Sequence, residues 1–174
     1  MSKIAVLGAD TVLGCAMCKK YWELLSQVIS PDESLRKRWE MHNEKIEVAQ
    51  DALADLGLLV RRLQGCSVVL LLDIQDPRAT LRVIDAMALL DKQHLITITP
   101  ALQRFLVIHD QQDNNLYINP RINNRNIDMS YQLLQESTLE INPIDYPENC
   151  QRNKDEVIAV IGQRFIAKTL DRIG

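Results

Sequence analysis

The stretch Ser67 to Asp73 constrains this chain more than any other feature. It reads Ser-Val-Val-Leu-Leu-Leu-Asp, an apolar run with no polar alternation and two β-branched residues near its start. A strand apolar on both faces must be covered on both faces, the signature of a parallel sheet lying between helical layers. Strand and helix signals alternate along most of the remaining sequence, so the fold class expected is α/β. The run is far shorter than the roughly 18 residues that would mark a membrane span. At 174 residues, 47% apolar and 25% charged, the chain is long enough to bury one sizeable core and is expected to be a single domain, 1–174. A net charge of −3 gives no electrostatic reason for a nucleic-acid partner. The N-terminus Met-Ser-Lys-Ile-Ala-Val-Leu-Gly lacks the parts of a signal peptide, and a cytoplasmic address is the expectation.

Lys3 to Leu7, ending at Gly8, is a second strand signal. Helical spacing runs from Thr11 to Val28 through Val12, Cys15, Met17, Trp22 and Leu25. Ser30-Pro31-Asp32-Glu33 has the cap, proline and acids of a helix start. Residues 31–64 are read as one broken helix or two, an insertion spanning 30–64, with a short strand at Ile46 to Val48 as the alternative. Asp76-Pro77 opens another helix, with Leu81, Ile84 and Met87 or Ala88 on its inner face. Leu95 to Thr99 is a strand stopped by Pro100. Phe105 to His109 and Leu116 to Ile118 flank a polar stretch, a hairpin signal. Residues 119–152 look irregular, with a short helix at Ile127 to Gln135 and a strand at Leu139 to Ile144 that Pro143 confines to an edge. Asn153 caps a last helix whose inner face is Val157, Ile161, Phe165 and Thr169.

Cysteines lie at 15, 18, 66 and 150. Cys15-Ala16-Met17-Cys18 follows a strand and opens a helix, where free N–H groups and the dipole would favour a thiolate. On that reading Cys15 is the nucleophile and Cys18 the resolving thiol, and the pair is catalytic. Thr99-Pro100-Ala101-Leu102 breaks a strand ahead of the expected hairpin. With these two motifs in this order the chain resembles the thioredoxin-fold superfamily. The resemblance implies a mixed sheet with a helical insertion, a cis Thr99–Pro100 bond packed beside residues 14–18, and substrate binding at Thr99 and Pro100. It departs from the superfamily in having Gly14 before Cys15 and Ala-Met between the thiols. Arg82-Val-Ile-Asp85 and Ile98-Thr-Pro-Ala-Leu102 carry a weaker similarity to the KaiB-like clock proteins, which implies a non-catalytic interaction module.

Other constellations give other readings. Gly8-Ala9-Asp10-Thr11-Val12-Leu13-Gly14 lies between a strand and a helix, where a dinucleotide-binding turn would be, but the middle glycine is missing. This is the basis of a Rossmann-like or flavodoxin-like alternative for the fold and a nucleotide-binding alternative for the function. Asp73, with Asp10 and Thr97 or Thr99, is similar to the phosphoacceptor set of a receiver domain but lacks a second acid after the first strand. His42, His94 and His109 have no ligand spacing, so no metal is expected, and no cofactor is assigned. Arg36-Lys37-Arg38 and Arg61-Arg62 read as solvated helix faces. The expected partner is a protein, with a homodimer through residues 31–64, including Trp39 and Met41, as the concrete form.

Overall fold

The computed structural model describes residues 3–9, 11–21, 27–29, 47–49, 52–113, 122–147 and 153–173. Its centre is a six-stranded sheet. The strands are β1 (Lys3–Leu7), β2 (Gln27–Ile29), β3 (Glu47–Ala49), β4 (Cys66–Leu71), β5 (His94–Ile98) and β6 (Glu140–Ile144). Their order is β3-β2-β1-β4-β5-β6, and every neighbouring pair is parallel. The described helices are α1 (Val12–Tyr21), α2 (Leu56–Leu63), α3 (Pro77–Leu89), α4 (Pro100–Asp113), α5 (Asn124–Glu136) and α6 (Lys154–Ile173), with a 3-10 turn at Ala52–Ala54.

β4 is the strand that the apolar run demands. Val68, Val69, Leu70 and Leu71 are all buried, and β1 beside it buries Ile4 to Leu7. Each of the Val, Leu and Ile side chains among them contributes about 1.5–3 kcal/mol by leaving water. The two central strands pair in register from Ile4 against Val68 to Leu7 against Leu71, so their carboxyl ends finish level. From β1 the chain crosses to β2 on one side; from β4 it crosses to β5 on the other. Right-handed crossovers in opposite directions put α1 and α3 on opposite faces of the sheet. Accordingly α1 packs with α6, while α2, α3 and α5 pack into a second layer, and α4 touches both α1 and α5. On the α3 side, at the carboxyl ends of β1 and β4, the 3-10 turn and α3 leave a crevice.

This architecture corrects the thioredoxin-like and KaiB-like readings. The sheet is parallel at every described pairing, with Rossmann order. The predicted hairpin strand Phe105–His109 belongs to α4. Pro100 opens that helix as its first residue, where a missing N–H costs nothing. The Leu102 N–H donates to Thr99 Oγ1 at 3.3 Å, so Thr-Pro is a helix start here. No cis peptide bond occurs among the described residues, and Thr99–Pro100 is trans. The segment expected as a helical insertion holds β3, the 3-10 turn and α2, while residues 30–46 lie outside the described residues. Within 119–152, α5 and β6 are regular, and β6 is the sheet edge that Pro143 requires. Asn153 Oδ1 accepts from the Glu156 N–H at 3.0 Å, and the expected inner face of α6 is buried. Among the described residues, no helix is long and apolar enough to cross a membrane.

Candidate functional site

The crevice at the carboxyl ends of β1 and β4 is about 270 Å³. Gly8 comes to it from the end of β1, and Leu71, Asp73, Gln75 and Asp76 come from the end of β4. Leu53 and Ala54 form a wall from the 3-10 turn, and Ala79, Arg82 and Val83 line it from α3. Its walls are mostly apolar and its polar groups are few, the usual composition of a small-molecule site. It also lies where the strand order reverses, the place where open α/β sheets bind ligands.

Each wall has a local cause. Gly8 has φ +89°, and a Cβ there would lie 3.0 Å from the Asp73 Cβ, so only glycine lets the two central strands end this close together. Asp76 caps α3 by accepting from the Arg78 N–H at 2.9 Å, with Pro77 at the first helical position. Asp73 Oδ1 accepts from the Gln75 N–H at 3.0 Å and from Gln75 Nε2 at 3.1 Å. Burial pushes the Asp73 carboxyl above the usual carboxylate range; the Gln75 hydrogen bonds oppose that and nearby Asp76 adds to it. Arg82 Nη1 donates to the Leu53 carbonyl at 3.1 Å, which ties α3 to the 3-10 turn across the crevice. Behind it, Gln103 Oε1 on α4 accepts from the Ile74 N–H at 2.6 Å.

The glycine turn beside the crevice is tightly closed on itself. A Cβ on Gly14 would lie 2.3 Å from the Gly8 carbonyl oxygen and 2.5 Å from the Ala9 Cα, so Gly14 is the residue that lets α1 pack against the turn. Thr11 caps α1: its Oγ1 donates to the Gly8 carbonyl at 2.7 Å and accepts from the Gly14 N–H at 3.0 Å. Its side chain is buried, 5% exposed. Asp10 lies outside the described residues.

The residues assigned to a redox site lie elsewhere in character. α1 begins at Val12, so Cys15 and Cys18 sit past its first residues, one of them inside the core. Cys18 is fully buried, and burial, with Cys15 nearby, pushes its thiol up to about 12. Cys15 is half-buried, and its Sγ donates to the Ala9 carbonyl at 3.4 Å. Neither is in a disulfide. The helix begins at Val12, three residues before Cys15, and its start is capped by Thr11. Thr99 Oγ1 donates to Asp145 Oδ1 at 2.7 Å, at the ends of β5 and β6 and outside the crevice lining. Asp73, named in the receiver reading, does line the crevice, whereas Thr97 is buried and donates to the Leu71 carbonyl at 2.9 Å. Trp39, Met41, His42, Cys150 and the run Arg36 to Arg38 lie outside the described residues. Sequence reasoning missed Arg82, Ala79, Leu53 and Ala54 as site residues. Arg82 is two turns into α3 from its cap, on the side of Ala79 and Val83, and only the facing 3-10 turn distinguishes it from a solvated arginine.

No family model matches the chain, and no curated protein matches it in sequence. Solved structures do. A wide-type short-chain dehydrogenase/reductase from Veillonella parvula, in complex with NADP, has a TM-score of 0.67 at 15% identity, covering 94% of this chain and 85% of that one. ChuY, an anaerobilin reductase from Escherichia coli O157:H7, has a TM-score of 0.62 at 13% identity, covering 93% and 89%. The Bordetella bronchiseptica enzyme WbmH, in complex with NAD+, has a TM-score of 0.59 at 13% identity, covering 83% and 56%. At these identities the likeness is one of fold, and it overturns the thioredoxin-like and redox expectations: the chain has a Rossmann-like α/β fold.

Proposed function

We propose that this chain is a nucleotide-binding protein and that the nucleoside part of its ligand sits in the crevice at the end of β1 and β4. The observation that carries this reading is the crevice itself: an apolar slot at the switch point of a Rossmann sheet, with the Asp73 and Asp76 carboxylates and the Arg82 guanidinium at its rim. Leu53, Ala54, Ala79 and Val83 offer apolar faces to a flat base. Asp73 and Asp76 offer acceptors to amino or hydroxyl donors, and Arg82 offers donors. The ligands in the neighbouring structures, NADP and NAD+, support the class of ligand.

The turn beside the crevice fits a nicotinamide dinucleotide only in part. Gly8 and Gly14 meet the demands of the first and last glycines of a dinucleotide fingerprint, the tight turn and the close helix packing. Gly8 and Gly14 are six residues apart, one more than in G-x-G-x-x-G, and the residue three before Gly14 is Thr11, whose side chain occupies the Gly14 N–H. The reading adopted is therefore nucleotide binding, with no chemical step assigned.

Isothermal titration with adenosine, AMP, NAD+ and NADP+ tests it. At least one is expected to bind wild-type protein with a dissociation constant below about 1 mM, roughly −4 kcal/mol. Ala79→Trp, which fills the slot from α3, is expected to abolish that binding while the chain stays folded. No binding by any of the four, or binding that survives Ala79→Trp, would overturn it.

A further inference from the structure

We infer that Thr11 makes the crevice select the nucleoside end of its ligand and reject a diphosphate laid on the start of α1. The inference rests on the nucleotide-binding reading and goes further by naming what the site excludes and which residue excludes it. Anion binding at a helix start needs N–H groups that are free to point at the ligand and backbone that it can approach. A glycine at the middle of the fingerprint supplies the approach. Here the residue at the helix start, three before Gly14, is a buried threonine whose hydroxyl is committed twice, as donor to the Gly8 carbonyl and as acceptor from the Gly14 N–H. The helix thus satisfies one of its own terminal donors from within, and the place next to it is filled by the side chain that does so.

A second, independent observation points the same way. The residue facing Gly8 across the end of the sheet is Asp73, close enough that a Cβ on Gly8 would touch the Asp73 Cβ at 3.0 Å, and it lines the crevice. Asp76 follows it on the same rim. Among the described residues the cation lining the crevice is Arg82, which lies on the α3 side and spends one guanidinium N–H on the Leu53 carbonyl. A diphosphate held over this turn would meet the Asp73 and Asp76 carboxylates on the adjoining rim. A base and ribose placed between the 3-10 turn and α3 meet the apolar walls, and their amino and hydroxyl donors match the carboxylates.

The test is a ratio of affinities. Wild-type protein is expected to bind NADP+ no more than about threefold more tightly than adenosine. Thr11→Gly, which removes both the cap and the obstruction, is expected to tighten NADP+ at least tenfold while adenosine stays within twofold. Thr11→Ser, which keeps the hydroxyl bonds, is expected to leave both as they are. Should Thr11→Gly fail to fold, Thr11→Ala frees the Gly14 N–H without loosening the backbone and is expected to move the same ratio in the same direction. The wild-type ratio needs no variant at all. Tenfold or tighter binding of NADP+ than adenosine by the wild type overturns the inference, as does a ratio unmoved in Thr11→Gly or Thr11→Ala. Failure of both ligands to bind any of these proteins overturns the nucleotide reading on which the inference stands. Binding of adenosine with an unchanged ratio overturns the inference alone.

Discussion

Two strand-to-helix junctions meet at the centre of the sheet, and they do opposite things. After β1, the chain closes: Gly8 turns with a positive φ, Gly14 brings α1 onto the turn, and Thr11 uses its hydroxyl inward. After β4, the chain opens: Leu72 and Ile74 go into the core while Asp73, Gln75 and Asp76 line a crevice. Both strands are buried on both faces, and both are followed by a capped helix. The difference lies in the side chains at the junction. One set is spent on packing the backbone, and the other is left facing a space. A Rossmann sheet therefore decides where a crevice forms, but the residues at each junction decide which part of a ligand it can take.

The comparison is most easily broken at Gly14. Gly14→Ala places a methyl 2.3 Å from the Gly8 carbonyl oxygen, against backbone that cannot rotate away. A loss of about 3 kcal/mol or more is expected in urea unfolding, the range of severe overpacking. The control is Gly162→Ala in α6, where a methyl would meet Tyr21 and Met17 at 3.6 and 3.8 Å, ordinary contact distances. That change is expected to stabilise by about 0.5–1 kcal/mol from helix propensity. Equal effects at the two positions would remove the close approach from the account.

Gly8→Ala comes next. It forces a side chain into a positive φ and against Asp73, with an expected loss of about 1–3 kcal/mol. It touches both junctions at once, so ligand binding should fall with stability. Asp76→Ala affects only the open junction. Loss of the α3 cap is expected to cost about 1 kcal/mol, with the turn after β1 unchanged by amide hydrogen exchange.

The smallest effect is expected at Asp73, and its sign depends on pH. The folded carboxyl titrates above its unfolded range, so its charged form is penalised in the fold. Wild-type stability should therefore rise as pH falls through the folded pKa toward about 4, where the unfolded carboxyl also protonates. Asp73→Asn should be at least as stable as wild type at pH 7 and lose that advantage as pH falls. Urea midpoints at pH 7 and pH 4 read it. An advantage that grows in acid would contradict the burial of this carboxyl.

The parts of the fold that were legible in the sequence are those where local pattern and tertiary role agree. β1, β4, β5 and β6 have apolar runs or edge prolines that match their places, and α6 has a clean cap and inner face. β2 was not legible because Val28 and Ile29 continue the helical spacing of α1. α4 was not, because Phe105 to His109 has the aromatic and β-branched content of a strand and the polar residues after it resemble a turn. Pro100 as the first helical residue and the buried pair Leu102 and Leu106 were the signals that pointed to a helix. The Cys-x-x-C spacing misled because the helix starts three residues sooner than a redox dithiol needs. Within the site, Gly8, Gly14, Asp73 and Asp76 each stood out singly. That they meet depends on β1 pairing with β4 across some sixty residues of chain, which no local spacing encodes.

Amide chemical-shift mapping during an adenosine titration tests the central claim most directly. The account predicts that the largest shifts fall on Gly8, Leu53, Ala54, Gln75, Asp76 and Ala79, with Cys15 and Cys18 unmoved. Shifts clustered instead around the ends of β5 and β6, or none at saturating adenosine, would contradict it.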